Sequence, residues 1–242
     1  MKRTLILVAG IALCPAARAA EPAFKVEIDY STAPECETFA VKSKAIVEEW
    51  YPKINEILFG KDHPLPRAVV NLKFEPMKGV AHATTDGIHI SAEWVTKKSP
   101  DDYGMVVHEL THIVQNYKLG EGWLTEGIAD YVRHAAYERD IKPTMSLDAH
   151  GRASGYSQKE PYFQGLESRG VDLTQKGYLQ SYTVAASFLF WLEAHKDKEI
   201  VRHLNQALSA GRYAPALFAQ FCGQSLDDLW AGYVADSEAA RQ

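Results

Sequence analysis

The chain has 242 residues, 46% hydrophobic and 24% charged, with a formal net charge of -5, an ordinary globular composition with room for one substantial core. That balance excludes a disordered or fibrous chain, and the acidic surface argues against nucleic acid as a partner. No repeat or low-complexity tract interrupts it, so one domain over residues 20–242 is expected, as a monomer.

Residues 1–19 read as a separate unit. Lys2 and Arg3 precede an apolar run from Leu5 to Leu13, and Ala17-Arg18-Ala19 supplies a small-x-small cleavage signal, the build of a secretory signal peptide. The run falls far short of the ~20 residues that cross a bilayer, and no later stretch reaches that length, so no membrane span is expected. Bulky Leu13 before Cys14 disfavours a lipidated cysteine. The expected location is therefore periplasmic or secreted. Losing the leader removes Lys2, Arg3 and Arg18 and no acid, which takes the net charge from -5 to -8. Cys36 and Cys222 remain, either bridged or as two thiols in an oxidising compartment, and neither reads as a nucleophile.

After a short polar lead-in, residues 39–58 show helical spacing (Phe39, Ala45, Ile46, Trp50, Ile54, Leu58) and stop at Gly60. Residues 68–74 read as a strand. Residues 80–83 and 88–91 flank Thr85-Asp86-Gly87 as a hairpin. Beyond Ser91 the pattern is helical, apart from a polar segment over residues 139–176 of a length that is often functional. The closing helices are expected over residues 181–195, 200–208 and 226–237, with Phe188, Phe190 and Trp191 in the core. Strands first and helices afterwards indicate an α+β fold, a small N-terminal sheet followed by a mainly helical part.

The chemistry concentrates in Val106-Val107-His108-Glu109-Leu110-Thr111-His112-Ile113-Val114, an HExxH pattern in a run of helical period. Ser99 as cap, Pro100 at the first position and Asp101 and Asp102 in the first turn predict the helix start, and Leu119-Gly120 predicts its stop. Residues four apart share a helix face, so His108 and His112 can present imidazole nitrogens to one ion. Glu109, about 100° round the helix, stays outside the ligand set yet near enough to reach a water. The second motif, Gly122-Trp123-Leu124-Thr125-Glu126-Gly127-Ile128-Ala129-Asp130-Tyr131-Val132, reads as a helix with Glu126 in its first turn. Folded back on the first, it completes a zinc site of two histidines and one glutamate with an open position. Asp130, one turn on, is placed to accept the outer N–H of a ligand histidine, and it is also the competing third ligand; Glu121 is a weaker one. His82 and His89 are left out of the site, and His134, His195 and His203 read as solvated.

These residues resemble the basic secretory protein family, zinc peptidases of plants and bacteria whose signature couples HExxH to EGIADYVR. This chain reads HELTHIVQ, then EGIADYVR, and EEWYPKI, GVAHATTDGIHISAEWV and LDDLWAGYVAD extend the likeness over most of its length. The resemblance implies a zincin-like fold of the gluzincin type, with His108, His112 and Glu126 on zinc and Glu109 as base. It also implies a small sheet whose edge strand lines the cleft, and on that footing residues 88–91 would pair with an extended peptide. Tyr182, in SYTVAASF, matches the tyrosine of the family's GYDVTARF, from which this segment departs at four of eight places.

The function these readings predict is an exported zinc peptidase acting on a peptide or protein. Glu109 takes the proton of the attacking water and passes it to the leaving amine. Tyr182 is the first candidate for stabilising the oxyanion, against the alternative of a core tyrosine. A zinc-holding interaction module without activity is the other class of function.

Overall fold

The computed structural model describes residues 24–138, 146–147, 153–154, 172 and 175–239; the leader and most of the polar segment 139–176 lie outside them. Within the described residues a four-stranded sheet is followed by a mainly helical part, as the order of periodicities predicts.

The sheet has the order β1-β2-β4-β3, with β1 (Lys25–Asp29), β2 (Val69–Glu75), β3 (Ala81–Ala83) and β4 (Ile88–Ser91). β1 pairs with β2 and β2 with β4 in parallel, while β3 and β4 form the expected antiparallel hairpin. Parallel neighbours need a crossover, and α1 (Glu37–Phe59) provides it between β1 and β2. The register Val26↔Val70, Leu72↔Ile88, Phe74↔Ile90 gathers these side chains on one buried face, because strand side chains alternate. Two expectations change here. β1 lies in the stretch that the sequence presents as a polar lead-in, since its alternation covers only Val26 and Ile28 between charges. Residues 88–91 form an interior strand, flanked on both sides; the edge strands are β1 and β3, and β3 is the one beside α2.

In the hairpin turn Gly87 has φ 153°, and a Cβ there would lie 2.5 Å from the Asn71 carbonyl oxygen on β2. Glycine is what lets the turn sit against the neighbouring strand. α1 stops at Gly60 (φ 98°) as predicted, but its stripe is rotated. Val47 and Tyr51 are fully buried rather than Ile46 and Trp50, and the Tyr51 hydroxyl accepts from the Arg67 N–H at 2.8 Å and donates to the Arg67 carbonyl at 3.2 Å. A tyrosine reaches the core when its oxygen is paired in this way.

A short π-helical turn (Trp94–Lys98) leads into α2 (Tyr103–Gln115). α3 (Gly122–Tyr131) runs on as a π-helix over Val132–Glu138. After a small hairpin of β5 (Ser146–Leu147) and β6 (Ala153–Ser154) come α4 (Tyr182–His195), α5 (Ile200–Ser209), α6 (Ala216–Cys222) and α7 (Leu226–Ala239). Of the closing helices only the short α6 was not anticipated. α3 packs closely on α4: a Cβ at Gly127 would lie 2.8 Å from the Cβ of Ala185. Beneath them Phe188, Trp191, Trp230 and Tyr233 interlock, with Phe188 edge-on to Trp230 at 5.3 Å, and each such buried ring contributes about 1.5–3 kcal/mol. Cys36, in the core, and half-buried Cys222 are free thiols. No helix among the described residues is long and apolar enough to cross a membrane.

Candidate metal centre

α2 begins at Asp102, not Ser99. Its Oδ1 accepts the Met105 N–H at 3.3 Å and its Oδ2 accepts from the Trp94 indole at 3.0 Å, so Asp102 is the cap. The stop is also earlier than Leu119-Gly120: Asn116 takes the left-handed conformation (φ 43°) that ends the helix, one of the few non-glycine residues to do so readily. The chain then turns, and α3 opens at Gly122, which places Glu126 just past the first turn rather than within it.

These two helices bring three side chains together. His108 Nε2 and His112 Nε2 lie 3.2 Å apart, and Glu126 Oε2 lies 3.2 Å from the first and 3.5 Å from the second. The three form the metal-capable group found among the described residues. Asp130 sits on the other side of the ring: its Oδ1 is 2.8 Å from His108 Nδ1, the partner position and not that of a third ligand. Glu121 is exposed at the start of α3. Glu109 is 8% exposed and makes no hydrogen bond to a described residue, while its charge reaches His108.

The family model described as a peptidase of plants and bacteria, BSP, matches residues 22–176 and 159–233. The chain belongs to this family. No curated relative and no solved structure matches it. Membership in BSP makes hydrolysis the reaction class and a peptide or protein the substrate class, and the matched residues include both helices that carry the cluster.

Behind the BSP cluster lies a buried polar network that sequence reading largely missed. Thr183, on α4, donates to Asp130 Oδ2 at 3.2 Å. Arg133 pairs with Asp102 at 2.6 Å and with Glu138 at 3.1 Å, and Glu138 reaches His134 at 2.8 Å. His134, expected in solvent, is therefore buried within this network. Its charged helical neighbours misled the reading because they turn inward. Gln115 is the other omission: its Oε1 is 2.8 Å from His112 Nδ1. The spacing from His112, three residues along one helix face, was the signal available.

The electrostatics follow from this packing. Burial opposes charge on His108, but hydrogen bonds to Asp130 and Glu126 outweigh it and raise its pKa to about 10. Burial likewise pushes Glu126 up, and the histidines beside it, His108 first and then His112, prevail, holding it at about 2. The same contest keeps Asp130 below the usual carboxylate range. Tyr182 opens α4 at 55% exposure, so it is not a core tyrosine, and its neighbour Thr183 is the residue that touches Asp130. His82 and His89 stack on each other at 5.0 Å on the sheet's polar face, His195 is exposed, and His203 lies 2.8 Å from Asp197.

Proposed function

We propose that this family member is an exported zinc-dependent peptidase in which His108, His112 and Glu126 hold the metal and Glu109 is the general base. The triangle of ligand atoms carries the reading. Tetrahedral zinc with bonds of about 2.0–2.1 Å has ligand-to-ligand edges of about 3.3–3.4 Å, and the edges here measure 3.2, 3.2 and 3.5 Å. Two imidazole nitrogens and a carboxylate oxygen are also the donor set of catalytic zinc, which keeps a fourth position open. When bound, the ion supplies Lewis acidity toward water and the substrate carbonyl.

Glu109 does the proton work. Buried and free of hydrogen bonds to described residues, its carboxylate accepts a proton from the attacking water and delivers it to the amine nitrogen as the C–N bond breaks. Its position beside His108 on α2, about 100° round the helix, keeps it near the ligands without joining them. Tyr182 offers an accessible phenol O–H to the developing oxyanion.

The substrate lies along β3, the edge strand packed beside α2. Ser91 donates to the Val80 carbonyl and Thr84 to that of Gly87, so by the alternation of antiparallel ladders Ala81 and Ala83 turn their N–H and C=O groups to the free edge. A peptide adding there gains main-chain hydrogen bonds whatever its side chains. Export rests on the leader read in residues 1–19, and cleavage after Ala19 leaves the acidic mature chain.

Metal analysis paired with a peptide-library digest tests the proposal. Wild type is expected to hold about one zinc per chain, to lose cleavage on chelation and to regain it with added zinc. Glu109→Gln should keep the zinc and lose hydrolysis by roughly 10²–10⁴-fold. Cleavage that survives complete metal removal would overturn the mechanism.

A further inference from the structure

A ligand histidine can face a cation with its inner nitrogen only if the proton of the neutral ring sits on the outer one, and the outer partner decides that. The two histidines here have different partners. His108 Nδ1 meets the Asp130 carboxylate, which can only accept. His112 Nδ1 meets the side-chain amide of Gln115 at 2.8 Å, a group that donates or accepts according to which way it is turned.

The surroundings of Gln115, 2% exposed, settle which way. Its Nε2 lies 3.0 Å from the carbonyl oxygen of Thr125, which accepts and cannot donate. That carbonyl turns the Gln115 nitrogen away from His112, and the amide oxygen therefore faces Nδ1.

We propose that Gln115 is a positioning residue that fixes His112 as its Nδ1–H tautomer and ties that ring to the backbone just before Glu126. Two of the three ligands are thereby set as one unit, with the Thr125 carbonyl giving the amide its direction. The inference rests on the metal-centre reading for its consequence, although the tautomer itself is a property of the metal-free protein. An amide also suits the place better than a carboxylate. Glu109, Glu126 and Asp130 already bring three negative charges to the site, and a fourth would blunt the Lewis acidity expected of the ion.

The test is long-range proton–nitrogen NMR of the imidazoles in metal-free full-length protein, joined to zinc affinity measured by chelator competition. His112 in wild type is expected to carry its proton on Nδ1. Gln115→Leu should populate both tautomers and bind zinc roughly 10–100-fold more weakly. Gln115→Met, close in shape, removes the same acceptor with less change in packing, and it serves if the leucine variant does not fold. A wild-type His112 protonated on Nε2, or a folded leucine or methionine variant with unchanged tautomer and zinc affinity, would each overturn the inference. Wild-type protein that binds no zinc would instead remove the metal reading while leaving the tautomer result to be judged alone.

Discussion

Asp130 Oδ1 lies 2.8 Å from His108 Nδ1, on the ring edge opposite the nitrogen that faces His112 and Glu126. A carboxylate there orients the ring and makes it a better donor to a metal. Asp130→Ala is expected to weaken zinc binding by roughly 10–100-fold, measured by chelator competition. Thr183→Val, which removes only a supporting hydrogen bond, should cost less. Equal affinity in wild type and Asp130→Ala would show that the carboxylate does not act through His108.

Proton release on metal binding gives an independent reading of the same contact. His108 has its pKa raised from 6.5 to about 10 in the metal-free protein, so at pH 7 the ring is charged, whereas Glu126, held at about 2, is already a carboxylate. Zinc requires a neutral imidazole, and its binding at pH 7 should therefore expel about one proton from His108. Calorimetry in buffers of different ionisation heat measures this directly, and a heat independent of buffer would contradict it. The same shift implies that the His108 pairing stabilises the metal-free fold fully below pH 6.5 and is lost as the pH rises through about 10.

Gly127 controls how closely the helix bearing Glu126 and Asp130 approaches α4. Gly127→Ala would set two Cβ atoms 2.8 Å apart, and because Ala185 has no flexible side chain to yield, the helices must separate. A cost of about 1–3 kcal/mol is expected, measured by denaturant unfolding of the metal-free protein. Adding Ala185→Gly should recover part of it, and the absence of any recovery would place the strain elsewhere.

Arg133 joins the cap of α2 to the end of the π-helix through Asp102 and Glu138. Burial opposes its charge, and the two carboxylates hold it firmly protonated. Arg133→Met would take the guanidinium from buried Glu138, which keeps only His134 beside it, and from Asp102, at a cost of about 3–5 kcal/mol, read as a lowered denaturation midpoint. A loss below about 1 kcal/mol would mean that the pair behaves like a surface salt bridge.

What the linear chain determined is whatever depends on neighbours a few residues apart. The pairing of His108 with His112 and the offset of Glu109 follow from helical pitch alone. The placing of Asp130 one turn beyond Glu126 rests on the same pitch. Alternation over residues 68–74 and the glycine at 87 likewise announced β2 and the hairpin. Folding in three dimensions decided what depends on partners far along the chain. The insertion of β4 between β2 and β3, which makes β3 an edge strand, is a matter of pairing across a crossover that no local period encodes. The burial of His134 and Arg133 depends on acids contributed by other turns, and a charged residue looks solvated until those acids are seen. Gln115 was legible as a neighbour of His112, but the direction of its amide was not. That direction comes from the Thr125 carbonyl, brought beside the end of α2 only when α3 folds back on it.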